Sequence, residues 1–130
     1  MTRLRTIVAV LLAFLGLAAL YTWPLAAQLG SHIASDPYDP ILNASILWWN
    51  ATVLPFSAAW WNQPFFYPAE GVAAFTENLA GIGVIATPTL WITGNPLTAY
   101  NLSLFLTWPL SAFAAYLLVL HLTRRQDAAV

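Results

Sequence analysis

Two long stretches of this chain carry no charged side chain, and they decide the setting in which the rest must fold. Thr6 to Ala27 is uncharged and contains the run Ile7-Val8-Ala9-Val10-Leu11-Leu12-Ala13-Phe14-Leu15. As a helix it reaches about 33 Å, enough to cross a hydrocarbon core of about 30 Å. Pro96 to Leu122 is uncharged again. It reaches about 40 Å, so as a span it is tilted or projects beyond the core. All four basic residues are arginines near the ends, Arg3 and Arg5, then Arg124 and Arg125. Short basic flanks stay cytoplasmic, so both termini are predicted inside and the acidic middle outside. Tyr21 and Trp23 fall where an outer aromatic belt belongs.

Charged residues make up 7% of the chain, against roughly a quarter in ordinary soluble domains. So few charges cannot cover a water-soluble globule of this size, and a lipid bilayer is the expected solvent. The chain has no cysteine, which excludes disulfides and thiolate metal sites. Between Arg5 and Arg124 there is no basic residue, so nucleic acid has no electrostatic footing as a partner. A cleaved signal peptide is the competing reading of the first stretch, with Leu25-Ala26-Ala27 as its cleavage site. Leucine fits poorly three residues before a cut, and the apolar core is long, so a retained span is preferred.

The fold class that follows is all-α membrane protein, with two transmembrane helices and an extracytoplasmic loop carrying two short interfacial helices. Residues 1–5 form a cytoplasmic N-terminus and 6–27 the first transmembrane helix. Residues 28–95 form the outer loop, with short helices at about 40–54 and 78–91. Residues 96–122 form the second span and 123–130 a cytoplasmic tail. Asp39 is predicted to cap the first short helix, with Pro40 at its first position. Leu42, Ile46, Trp49 and Val53 then share one face, and Leu54-Pro55 ends the helix. Residues 55–71 read as an irregular aromatic loop. The second short helix contains Gly81, Gly83 and Pro88, and reads as re-entrant or interfacial. Gly94-Asn95-Pro96 supplies a helix end, a cap and a new start. Trp108-Pro109 is expected to kink the second span and bring Trp108 against other helices.

No phosphate loop, nucleophile elbow or histidine-zinc pattern is present, which leaves carboxylate chemistry. Asp36 and Asp39 open the outer loop within Ser35-Asp36-Pro37-Tyr38-Asp39-Pro40, and Glu77 sits near the first turn of the second short helix. Such acids can take a proton from an attacking hydroxyl or share a divalent cation. Capping explains Asp39, whereas Asp36 has no structural role beyond an Asx turn. Asp36 is therefore the better choice for chemistry and Asp39 for architecture. Glu77 also suits a helix dipole, Glu70 reads as a solvated loop acid and His32 as an interfacial polar residue. Asn43, Asn50 and Asn101 each begin an N-x-Ser/Thr triplet of the kind that arises by chance.

The order of span, acidic outer loop, two short helices and arginine-terminated span resembles the N-terminal part of bacterial multi-pass membrane glycosyltransferases of the GT-C class, including YfhO-like relatives. The likeness rests on Ser35 to Asn43 followed by Trp48, on Phe66-Tyr67-Pro68, on Ala74 to Gly81, and on Gly94-Asn95-Pro96 with Tyr100-Asn101-Leu102. It implies transfer of a sugar from a polyprenyl-phosphate donor on the outer membrane face, with Asp36 or Asp39 as base or metal ligand and Glu77 as second acid. Those enzymes are several times longer, so the expectation is a fragment whose partner is the missing downstream membrane region. A donor phosphate needs a cation or basic group, and the outer segment has neither Arg nor Lys. The alternative is a non-catalytic two-span protein packing against a larger membrane partner. A secreted carbohydrate-binding module is a third reading, weakened by the apolar run from Pro96.

Overall fold

The computed structural model describes residues 2–33 and 36–128, and of Thr2 and Arg3 the backbone alone. Ser35, which opens the acidic stretch, lies outside the described residues. The described chain is helical throughout and contains no strand. Its α-helices are α1 (Thr2–Tyr21), α2 (Tyr38–Thr52), α3 (Ala58–Trp61), α4 (Ala80–Thr93) and α5 (Pro96–Thr123), with short 3-10 turns at Leu25–Ala27 and Val72–Ala74. Two of them, α1 and α5, are long and apolar enough to cross a membrane.

The chain divides into two compact units, Met1–Ala27 with Leu104–Val130, and Gln28–Ser103. In the first, α1 stops at Tyr21, short of the expected end at residue 27. Pro24 is the reason. It has no N–H for the Leu20 carbonyl, so the intrahelical ladder cannot continue through it. The Thr22 hydroxyl donates to the Ala18 carbonyl at 2.8 Å and finishes the helix. Phe14, Leu17 and Ala18 line an apolar groove with Trp108, Pro109 and Ala112 of α5. Trp108, expected against neighbouring helices, lines this groove but leaves most of its indole uncovered. Pro109 is accommodated within one continuous helix. Only 6% of the apolar window of α1 and 17% of that of α5 is buried within the chain.

The Gln28–Ser103 unit is built on α2 and α4. Leu47, Ala86, Leu90 and Ala99 form its core, with Ala51, Leu79, Ile82 and Tyr100 around them. The buried residues of α2 are Pro40, Ala44, Ile46, Leu47 and Asn50, so the expected Leu42, Ile46, Trp49 and Val53 face is not the inner one. The reason is non-local. Helix α4 presents Gly83 and Ala86, which permit close approach, and the strip of α2 that meets them holds Leu47, Asn50 and Ala51. Trp91 Nε1 donates across this contact to the Ala51 carbonyl at 3.1 Å.

Polar residues fix the rest of the unit. Asn50 Nδ2 donates to the Asn78 carbonyl at 2.8 Å, and its Oδ1 accepts from Trp60 Nε1 at 2.6 Å. That bond anchors α3, a helix within the stretch expected to be irregular, whose N-terminus is capped by Ser57 Oγ accepting from the Trp60 N–H at 3.2 Å. At the start of α5, Asn95 Oδ1 accepts from the N–H groups of Leu97 and Thr98, as the Asn95-Pro96 pattern predicts. Gly94 ends α4 in the left-handed region, with its N–H donating to the Leu90 carbonyl at 2.7 Å. Asn95 Nδ2 also donates to the Gly30 carbonyl, and Asn101 Nδ2 to the carbonyls of Leu29 and His32. These bonds join the two ends of the unit.

Candidate functional site

At the start of α2 Asp36 makes the Asx turn that the sequence allowed it, and the cap expected of Asp39 is not formed. The helix begins at Tyr38, three residues after Ser35 and one before Asp39, and Asp36 Oδ1 accepts from the Tyr38 N–H at 3.1 Å. Pro37 flanks the helix with helical backbone and offers no side-chain cap. Asp39 is therefore not the cap. It lies exposed in the first turn, where its charge complements the helix dipole. Pro40 is buried in the same turn, where a missing N–H removes no intrahelical bond. Either Asp-Pro pair satisfies the local rule, and the earlier one begins the helix. Both acids lie within electrostatic reach of the Tyr100 hydroxyl.

Glu77 is set apart from this pair. It precedes α4, whose first residue is Ala80, and is not in its first turn. Asn78 takes the local capping role instead, its Oδ1 accepting from the Ala80 N–H at 3.1 Å. The Thr76 hydroxyl donates to Glu77 Oε2 at 3.0 Å. Glu77 and Thr76 line an open cleft of about 870 Å³ together with Leu42, Phe66, Ala69, Val72 and Phe75. Of the three expected acids, Glu77 alone belongs to this lining. Asp39 lies one turn before Leu42 on α2 and is not part of the lining.

The loop that carries Phe66 is held by Asn62, whose Nδ2 donates to the Ala58 carbonyl and whose Oδ1 accepts from the Gly71 N–H at 2.7 Å. Gly71 and Phe66 both have positive φ, 69° and 58°. For phenylalanine that conformation is disfavoured by roughly 1–2 kcal/mol, so the surrounding loop holds Phe66 at the cleft against a local preference. The arrangement offers two ring faces, one carboxylate and one hydroxyl, which suits a polyol with an apolar flank. Among the described residues no group of three His, Asp or Glu converges to hold a metal ion.

The remaining sequence candidates are structural. The His32 ring lies 2.9 Å from Ser31 Oγ in an exposed turn, and the His32 carbonyl is held by Asn101. Asn50 and Asn101, to which the sequence assigns no structural role, are buried and bonded through their amides. An asparagine set in an apolar helix was the available signal for both. No protein-family model, curated protein or solved structure matches this chain.

Proposed function

We propose that this chain is a two-span bacterial inner-membrane protein with both termini cytoplasmic, forming the N-terminal part of a glycosyltransferase that uses a polyprenyl-phosphate sugar donor. The cleft carries the reading. Leu42, Phe66 and the Phe75-Thr76-Glu77 triplet come from three separate phrases of the resemblance, and they share one lining. Glu77 in the cleft and Asp39, one turn before Leu42, are the proton acceptors of this reading, and Asp36 belongs to the turn that begins α2. The positive partner of the donor phosphate comes from outside the stretch between Arg5 and Arg124, as a divalent cation or from the downstream membrane region. The uncovered apolar surface of α1 and α5 supports the lipid setting.

The alternative, a non-catalytic protein docked on a larger membrane partner, is favoured by the rings of Tyr67 and Phe75, which are almost wholly exposed. Sugar transfer by native membranes carrying the product of the whole open reading frame separates the two. Loss of a general base lowers rates by about 10²–10⁴-fold, so Asp39→Asn or Glu77→Gln is expected to fall in that range. Wild-type turnover in both variants would remove the carboxylate reading and leave the docking one.

A further inference from the structure

We infer that the outward face of α4 is a lipid-binding surface, seated at the headgroup boundary with its groove occupied by an acyl chain of a membrane lipid. This rests on the membrane setting proposed above but not on sugar transfer. One face of α4 packs on α2, and the opposite stripe, Gly81, Val84, Pro88, Trp91 and Ile92, is exposed. A helix exposed to water carries polar residues on that side, and a helix apolar all round is covered. No Asp, Glu, Lys or Arg occurs between Glu77 and Arg124, so immersion of α4 would bury no charge.

Two of the three hydroxyls of α4 fit the same setting. Thr89 Oγ1 donates to the Ile85 carbonyl at 3.1 Å and Thr93 Oγ1 to the Thr89 carbonyl at 2.8 Å. Both are bonded to their own helix and need no water. Pro88 leaves the Val84 carbonyl without its helical donor, which favours the headgroup boundary, where water and headgroups supply one, over the hydrocarbon centre. Chain connectivity holds the helix near lipid. Only Gly94 and Asn95 separate Thr93 from Pro96, so the end of α4 lies within about 11 Å of the start of the long apolar helix.

The stripe also walls a groove of about 420 Å³ in which Val84, Pro88 and Trp91 face Phe56 and Trp60, within the usual size range of ligand sites. Asn50 and Thr87, which carries a hydroxyl, line it too, and the Asn50 amide is engaged at both ends, by Asn78 and Trp60. Aromatic walls whose amide is already engaged suit hydrocarbon better than a saccharide, which needs hydrogen-bond partners.

The absence of cysteine permits single-cysteine labelling. Val84→Cys, Ile92→Cys, Tyr67→Cys and Leu118→Cys would each carry a bimane fluorophore in phosphatidylethanolamine–phosphatidylglycerol vesicles, with helicity checked against wild type. The inference expects labels at 84 and 92 to be quenched several-fold more by acyl-chain nitroxide lipids than the label at 67, and to be shielded from iodide. Iodide quenching at 84 and 92 equal to that at 67 would overturn it. Shielding from both quenchers would also overturn it and point to a protein partner. Lipid quenching at 118 alone rejects the α4 surface and keeps the span. Its absence at 118 rejects the span reading, and this inference with it.

Discussion

At the scale of single residues, two buried amides make opposite contributions. Asn50 serves three segments at once, and removal of its amide leaves the Trp60 indole N–H and the Asn78 carbonyl without partners. Each buried unsatisfied group is unfavourable by roughly 1–3 kcal/mol, so Asn50→Leu is expected to lower stability by about 2–4 kcal/mol. Gln63 is only 3% exposed, and neither its amide nitrogen nor its oxygen has a partner. Gln63→Met keeps the shape, removes both orphaned atoms and is expected to raise stability by about 1 kcal/mol. Thermal unfolding in detergent, followed by circular dichroism, checks both signs. The acids show what the sequence could not decide. Asp36 and Asp39 obey the same Asp-Pro rule, so their residue types were legible while the pair at which α2 starts was not.

At the scale of helices, the punctuation was the most legible feature. Gly94 and Asn95-Pro96 do what local chemistry predicts because a cap needs only its neighbours. The end of α1 was written in Pro24, but an apolar count runs straight through it. The inner face of α2 was not legible, since it is selected by the small residues of α4. Glycines test this packing. An added Cβ at Gly83 would stand 3.8 Å from Asn50 Cβ, an ordinary contact. Gly83→Ala should therefore gain up to about 1 kcal/mol through helix propensity. At Gly30 the same atom would stand 2.9 Å from Thr98 Oγ1 and 3.2 Å from Asn95 Nδ2. Gly30→Ala is expected to destabilise by about 1–3 kcal/mol, as overpacking does. The same melting experiment reads both, and a loss at Gly83 would mean that α2 and α4 approach more closely than 3.8 Å at this point.

At the scale of the whole molecule, charge placement made the two long helices legible, because an uncharged stretch of that length has few soluble uses. The helical unit between them was legible only in outline, since it is assembled by Asn50, Asn95 and Asn101 over long sequence separations. The proposed topology predicts that alkaline phosphatase fused after Leu54 is active, and that a fluorescent protein fused after Val130 is bright. A cytoplasmic reporter result at Leu54 would overturn the two-span arrangement. The cleft lies in the same unit as Leu54, so that experiment also fixes the compartment from which its ligand comes.

The bonds from Asn101 to Leu29 and His32 cross 72 and 69 residues of chain. Closing a flexible loop of that length is opposed by about 4 kcal/mol of chain entropy. Small disulfide-rich domains commonly meet such a term with a covalent cross-link, and this unit does so with an asparagine amide. The closure is consequently reversible and indifferent to redox conditions. It also brings the two ends of the Gln28–Ser103 unit to one point, so the segment between them could be replaced by a short turn, much as an inserted domain can be removed from its host.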